Sequence, residues 1–205
     1  MKYLFLLFLF LCSDLKGQEK FTLKQEIDQH KKGVGLWWTG HNGWIIKSND
    51  LVISTDILLN YDKRINKPPI SEKELAQILD ISFVTHSHKD HFARSVSKVL
   101  IEESDCIFVI PESCLEIAKE LKIPNNRIKI AVPRQKFQIL GVDVTPIRAI
   151  HGNADFAIYY KANLKDCGYL IEIDGKRFLQ PGDSFLLEDH LFLNNIDVLF
   201  FSPTE

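Results

Sequence analysis

Apolar positions in this chain fall mainly into short runs separated by turn residues, the rhythm of strands, with a few longer stretches of helical spacing. Leu36 to Thr39, Gly43 to Lys47 and Leu51 to Thr55 read as a meander, with Ser48-Asn49-Asp50 as a turn and Asp56 closing the third strand. Residues 18–32 are polar and charged, which predicts a linker or a short surface helix. Ser71-Glu72-Lys73-Glu74 is a capping box opening a helix to about Leu79. A strand over 81–85, a helix from about Ala93 to Glu103 and a strand over 106–110 follow. Pro111 then suits the first turn of a helix over 112–121. The second half reads as strands again: 127–132, 136–140, 142–150, 156–161 and 169–173. Asp174-Gly175 is a hairpin turn into 177–180. A helix over about 185–193 and an apolar strand over 198–201 complete the pattern. Both halves contribute strands with helices outside, so the expected fold class is α/β, two sheets between helical layers.

Composition narrows this picture. At 205 residues and 45% hydrophobic content the chain is globular and long enough for one substantial core. The formal net charge of -2 and the absence of a basic run argue against nucleic acid as a partner. The first residues stand apart. Lys2 precedes Tyr3 to Leu11, a run almost purely of Leu and Phe and too short for a membrane span, and small or polar residues follow. We read residues 1–17 as a signal peptide, with an uncleaved anchor as the lesser alternative, 18–35 as a linker or short N-terminal segment and 36–205 as the domain. The mature protein is then expected to be exported, periplasmic or secreted, and free of the membrane. Cys12 falls in the leader, and Leu11 before it is a poor fit to lipoprotein processing. Cys106, Cys114 and Cys167 lack CxxC spacing, which disfavours a cysteine zinc knuckle, and the first two read as buried thiols.

The chemistry is concentrated in Thr85-His86-Ser87-His88-Lys89-Asp90-His91. Three imidazoles and a carboxylate at the mouth of a strand are ligand types that suit zinc, manganese or iron. His151 ends the strand over 142–150 beside Gly152. Asp183 follows Pro181-Gly182, where glycine frees the backbone to turn the carboxylate inward. Taken alone, Asp183 could instead cap the helix expected after it, but its context favours a ligand. His41 is balanced between a turn residue and a donor at the edge of the site. Trp37, Trp38 and Trp44 read as core residues. So do Tyr159 and Tyr160, although either could edge the pocket. His30 and His190 read as solvated.

The order His86-x-His88-x-Asp90-His91, then His151, then Gly182-Asp183, with Asp56 ending an earlier strand, resembles the metallo-β-lactamase superfamily from Leu36 onward. Gly40-His41-Asn42-Gly43 and the ending around Gly182-Asp183-Ser184 resemble its ascorbate-6-phosphate lactonase-like branch. The resemblance implies a four-layer αββα sandwich. It implies that His86, His88 and His151 hold one metal, that Asp90 and His91 hold a second, and that Asp183 bridges the two. Asp56 would steady the site by hydrogen bonds. The ions would be Zn2+, with Mn2+ or Fe2+ as alternatives. The family also supplies a last histidine beyond the final strand, so the chain is expected to lack its C-terminal elements. The implied activity is a hydrolase acting on a small ester, lactone or phosphoester. A bound metal brings its water to a pKa of about 7, and Asp90 would orient that water and relay its proton. The alternative is a non-catalytic or weakly active metal-binding protein without a complete second site.

Overall fold

The computed structural model describes residues 21–151 and 163–201. The leader and the strand expected over 156–161, with Tyr159 and Tyr160, lie outside the described residues. One sheet has the order β1 (Val34–Gly40), β2 (Gly43–Ser48), β3 (Leu51–Thr55), β4 (Ile81–Phe83), β5 (Ile107–Pro111) and β6 (Ile128–Ala131). Its first three strands are the antiparallel meander, and from β3 onward the pairs are parallel. Parallel neighbours need crossovers. These contain α2 (Glu72–Ala76), α3 (Arg94–Glu103) and α4 (Leu115–Glu120). The second sheet has the order β11 (Val198–Leu199), β10 (Lys176–Gln180), β9 (Asn163–Ile173), β8 (Val142–His151) and β7 (Phe137–Ile139). The last described helix, α5 (Glu188–Leu191), lies between β10 and β11 in the chain.

The layers follow from alternation along the strands. In the first sheet Ile45, Val52 and Phe108 enter a core shared with the helices, while their neighbours Ile46, Ile53 and Val109 enter the core between the sheets. Val142, Val144, Tyr169, Ile171 and Phe178 meet the latter from the second sheet. Strands buried on both faces read as continuous apolar runs, which is how these appear in sequence. The outer face of the second sheet is thinner among the described residues: Ile147, Leu170 and Leu179 are covered by Leu193 and Ile196. This is the expected sandwich.

Several local expectations are corrected. Residues 18–32 contain more than a linker: α1 (Leu23–Gln29) is capped by Thr22 and Gln25, and Ile27 is fully buried. Lys47, itself buried in β2, donates to the Ile27 carbonyl at 2.6 Å and pins that helix to the sheet. The capping box at Ser71 forms, but α2 stops at Ala76. The helix over 112–121 opens with a 3-10 turn, Glu112–Cys114. Trp38 is 60% exposed and not a core residue. His190 is half-buried, not solvated: its Nδ1 accepts from the Leu187 amide and caps its own short helix. Cys106, Cys114 and Cys167 are free and buried. Burial pushes the Cys106 and Cys167 thiols up to about 12 and Cys114 higher still.

Candidate metal centre

The histidine run leaves the C-terminal end of β4, where the first sheet meets the second. Thr85 organises the junction. Its amide donates to Asp56 Oδ1 and its hydroxyl to Asp56 Oδ2, both at 2.8 Å. Its carbonyl accepts from the Cys167 amide of β9 at 3.1 Å. Beside it, the Tyr169 hydroxyl donates to the Val84 carbonyl at 2.7 Å. The strand end is therefore fixed to both sheets before the first histidine begins.

Asp56 is fully buried and sits in the left-handed region at φ 45°. Its Oδ2 also lies 3.0 Å from His91 Nδ1. A carboxylate on one imidazole nitrogen fixes the ring and leaves the other nitrogen for a ligand. His91 Nε2 faces Asp183 Oδ2 at 3.2 Å. Asp183 is delivered by the turn after β10. Gly182 has φ +63°, and a Cβ there would lie 2.8 Å from the Thr85 Cβ, so glycine is required twice over. Asn42 Nδ2 donates to Asp183 Oδ1 at 3.1 Å and lies 3.4 Å from His91 Nε2. Gln180, buried beneath, donates to the Asn42 carbonyl and accepts from the Gly182 amide.

His86 is buried and His88 exposed, with His86 Nε2 3.1 Å from His88 Nδ1. The rings of His86 and His91 lie 4.0 Å apart. Ligand atoms of His86, His91 and Asp183 fall within 4.8 Å of one another. A second group, His41, Asp90 and His91, meets the same limit, with His41 Nε2 3.5 Å from Asp90 Oδ2. Thus His86, His88, His91 and Asp183 converge. Asp90 faces His41 at the rim, its side chain more exposed than that of Asp183. His151 ends β8 beside the site: the Ile150 amide donates to Ser184 Oγ, and the Ile150 carbonyl accepts from Phe185. The side chain of His151 and residue Gly152 lie outside the described residues. Asp183 is not the helix cap, because α5 begins only at Glu188.

The donor set fits a divalent cation. Tetrahedral ligands about 2.0–2.1 Å from zinc sit about 3.3 Å from one another, close to the 3.1 Å and 3.2 Å separations here. Burial alone would lower the His91 pKa, but the Asp56 carboxylate and the hydrogen bond to Asp183 overturn this and raise it to about 10. Two carboxylates converging on one buried imidazole make this a position where positive charge is favoured. Gln180 belongs to no motif, and Asn42 and Thr85 stand in the Gly40-His41-Asn42-Gly43 and histidine runs without a role legible there, because their partners lie far away in the chain.

Comparison with known proteins shows the family of the chain. The sequence profile described as the Beta-lactamase superfamily domain matches residues 35–203, and the chain belongs to that superfamily, the metallo-β-lactamase fold group. A UPF0173 metal-dependent hydrolase of Thermococcus onnurineus is 29% identical over 118 residues, 57% of this chain and 49% of the relative. Another from Thermococcus kodakarensis is 23% identical over 164 residues, 80% of this chain and 67% of the relative. The chain thus spans about half of one curated relative and two thirds of the other. Among solved structures, a Parabacteroides distasonis protein assigned to the metal-dependent hydrolases superposes with a TM-score of 0.62 at 19% identity, covering 83% of this chain and 71% of that one. Igni18, a metallo hydrolase of Ignicoccus hospitalis, gives 0.56 at 18% identity, covering 78% and 64%. At such identities the likeness is one of fold.

Proposed function

We propose that this protein is a metal-dependent hydrolase, dinuclear with zinc, that opens a small ester, lactone or phosphoester. The observation that carries the reading is the convergence of His86, His91 and Asp183 from opposite sheets onto one point. The names of the two Thermococcus relatives support it. We assign His86, His88, His151 and Asp183 to one ion, and Asp90 and His91 to the second with Asp183 shared. Bound there, divalent metal supplies a water of lowered pKa and a Lewis acid for a carbonyl or phosphoryl oxygen.

The chain's own groups have separate tasks in this reading. Asp56 Oδ2 holds the Nδ1 proton of His91, which leaves Nε2 as the ligand atom. Asn42 occupies Asp183 Oδ1 and so orients Oδ2 toward His91. Asp90, half-exposed at the rim, is the carboxylate placed to accept a proton from the attacking water and return it to the leaving group. The leader-like residues 1–17 support export of the mature chain, and fractionation of tagged protein tests that point.

The decisive experiment is metal analysis of the full chain purified with zinc or manganese available, followed by a panel of lactones, esters and phosphoesters. His88→Ala should lower turnover of any hit by at least about a hundredfold, because exposed His88 supplies a ligand and carries little of the fold. Wild-type protein that binds no metal, or full activity in the variant, overturns the proposal.

A further inference from the structure

Beside the metal rim lies a hollow of about 440 Å3. Hollows of similar size occur elsewhere, so location and lining set this one apart. It is lined by Trp38, His41, Tyr61, Lys63, Ile65 and Lys67, among others. One wall carries His41, whose Nε2 is 3.5 Å from Asp90 and whose ring lies 5.7 Å from that of His91. The hollow therefore adjoins the rim of the candidate centre through His41.

Its walls have two characters. Trp38 is 60% exposed, yet its indole N–H donates to the His41 carbonyl at 2.8 Å, which holds the ring in place. Tyr61 meets His41 edge-on at 6.2 Å, and Ile65 is 96% exposed. Large apolar and aromatic groups left outside the core, one of them fixed by a hydrogen bond, form a surface for an apolar ligand body. The lining also carries the cations Lys63, Arg64 and Lys67. Residues 57–70 contain Lys63, Arg64 and Lys67 against one acid, Asp62, which does not line the hollow. Arg64 is committed to shape: its guanidinium donates to the carbonyls of Leu58, Thr39 and Asn66 and keeps this loop against β1. Neither Lys63 nor Lys67 has an ion-pair partner among the described residues.

We infer that this hollow is the substrate-recognition subsite and that it selects substrates carrying an anionic oxygen group, phosphate or carboxylate, on an apolar or aromatic body. Lys63 and Lys67 receive the anion, and Trp38 and Tyr61 receive the body. The scissile bond then lies toward His41 and the metal rim. The inference names the substrate class for the hydrolase reading above and rests on it, but the subsite itself is testable by binding alone.

The probe is phenylphosphonate, with phenylacetate as the carboxylate arm and benzyl alcohol as the neutral control. Each is titrated into the full chain, metal-loaded and chelator-stripped, with tryptophan fluorescence and calorimetry as readouts. The expected result is saturable binding of the anions that survives removal of metal, weakens with added salt and exceeds that of benzyl alcohol. In Lys63→Ala/Lys67→Ala, anion affinity should fall by about tenfold, while metal content and melting temperature stay at wild-type values. Trp38→Ala should weaken both anions and remove the fluorescence response. A difference between phosphonate and carboxylate identifies which anion the subsite prefers. The inference is overturned if the stripped chain binds neither anion, if binding vanishes with the metal, or if the double lysine variant binds as wild type does. Failure of all hydrolysis assays with intact anion binding would instead remove the hydrolase reading and leave the subsite.

Discussion

At the residue scale the site depends on groups that touch no candidate cation. Asp56 adopts a left-handed backbone conformation that Asp tolerates better than most residues, and it is enclosed by Thr85 and His91. Asp56→Asn tests its role at constant shape. One oxygen remains for the Thr85 amide, but an amide nitrogen in place of Oδ2 cannot accept from the Thr85 hydroxyl and His91 Nδ1. Metal affinity should fall by about 10–100-fold, as measured by chelator competition, with the fold retained by circular dichroism. Unchanged affinity would make Asp56 a folding residue only. Gly182→Ala tests delivery of Asp183. The new methyl meets Thr85 on a backbone already at positive φ, so stability should fall by about 1–3 kcal/mol in denaturant titration, with weaker metal binding beside it. A neutral result would show that the turn has room to shift. The ligand types of the histidine run were legible because they are contiguous. Asn42, Thr85 and Gln180 were not, because Asn42 meets Asp183 across 141 positions and Gln180 meets Asn42 across 138.

At the element scale, legibility tracked how local the chemistry is. The capping box at Ser71 and the Asp174-Gly175 turn hold their own partners, and both form, the latter with φ of 50° and 68°. The helix expected over 185–193 shrank to α5 because tertiary bonds compete for its start. Ser184 and Phe185 are tied to Ile150 of β8, which holds this stretch along the strand end and delays the helix to Glu188. What then holds α5 is electrostatic: Asp189 receives Arg134 and Arg148, each through two nitrogens. The Arg134 hydrogen bond, with Arg148, holds the Asp189 carboxyl far below its ordinary 3.8 despite partial burial. A depressed carboxylate contributes stability that is present above pH 3.8 and is lost as pH falls toward the folded-state value. His190 acts earlier in the same direction. Burial lowers its pKa from 6.5, so protonation below pH 6.5 favours the unfolded segment. Acid should therefore loosen residues 188–197 before the rest of the domain, seen as faster amide exchange there between pH 6.5 and 3.8 after correction for the intrinsic rate. Arg148→Ala removes two of the four bonds to Asp189 and should speed exchange in this segment already above pH 6.5. Uniform exchange across both sheets would refute it.

At the scale of the whole molecule, the candidate centre is a junction. His86, His88 and His91 follow β4 of the first sheet, and Asp183 follows β10 of the second. The inter-sheet core of Phe83, Val109, Tyr169 and Ile171 already joins these layers. A cation held by both sheets would add a bond that forms only when they are in register, so metal binding should stabilise the native state by linkage. At a free metal concentration of a thousand times Kd the gain is about 4 kcal/mol. Thermal melting of the full chain should therefore rise with zinc and fall back when a chelator is added. His88→Ala separates this effect from general ion binding. His88 is exposed, and exposed truncations change stability by only about 0.5 kcal/mol or less. The metal-free variant should melt as the metal-free wild type does, while most of its zinc-dependent rise disappears. An equal rise in both proteins would place the stabilising cation elsewhere on the molecule. No rise in either would mean that the two sheets do not share an ion.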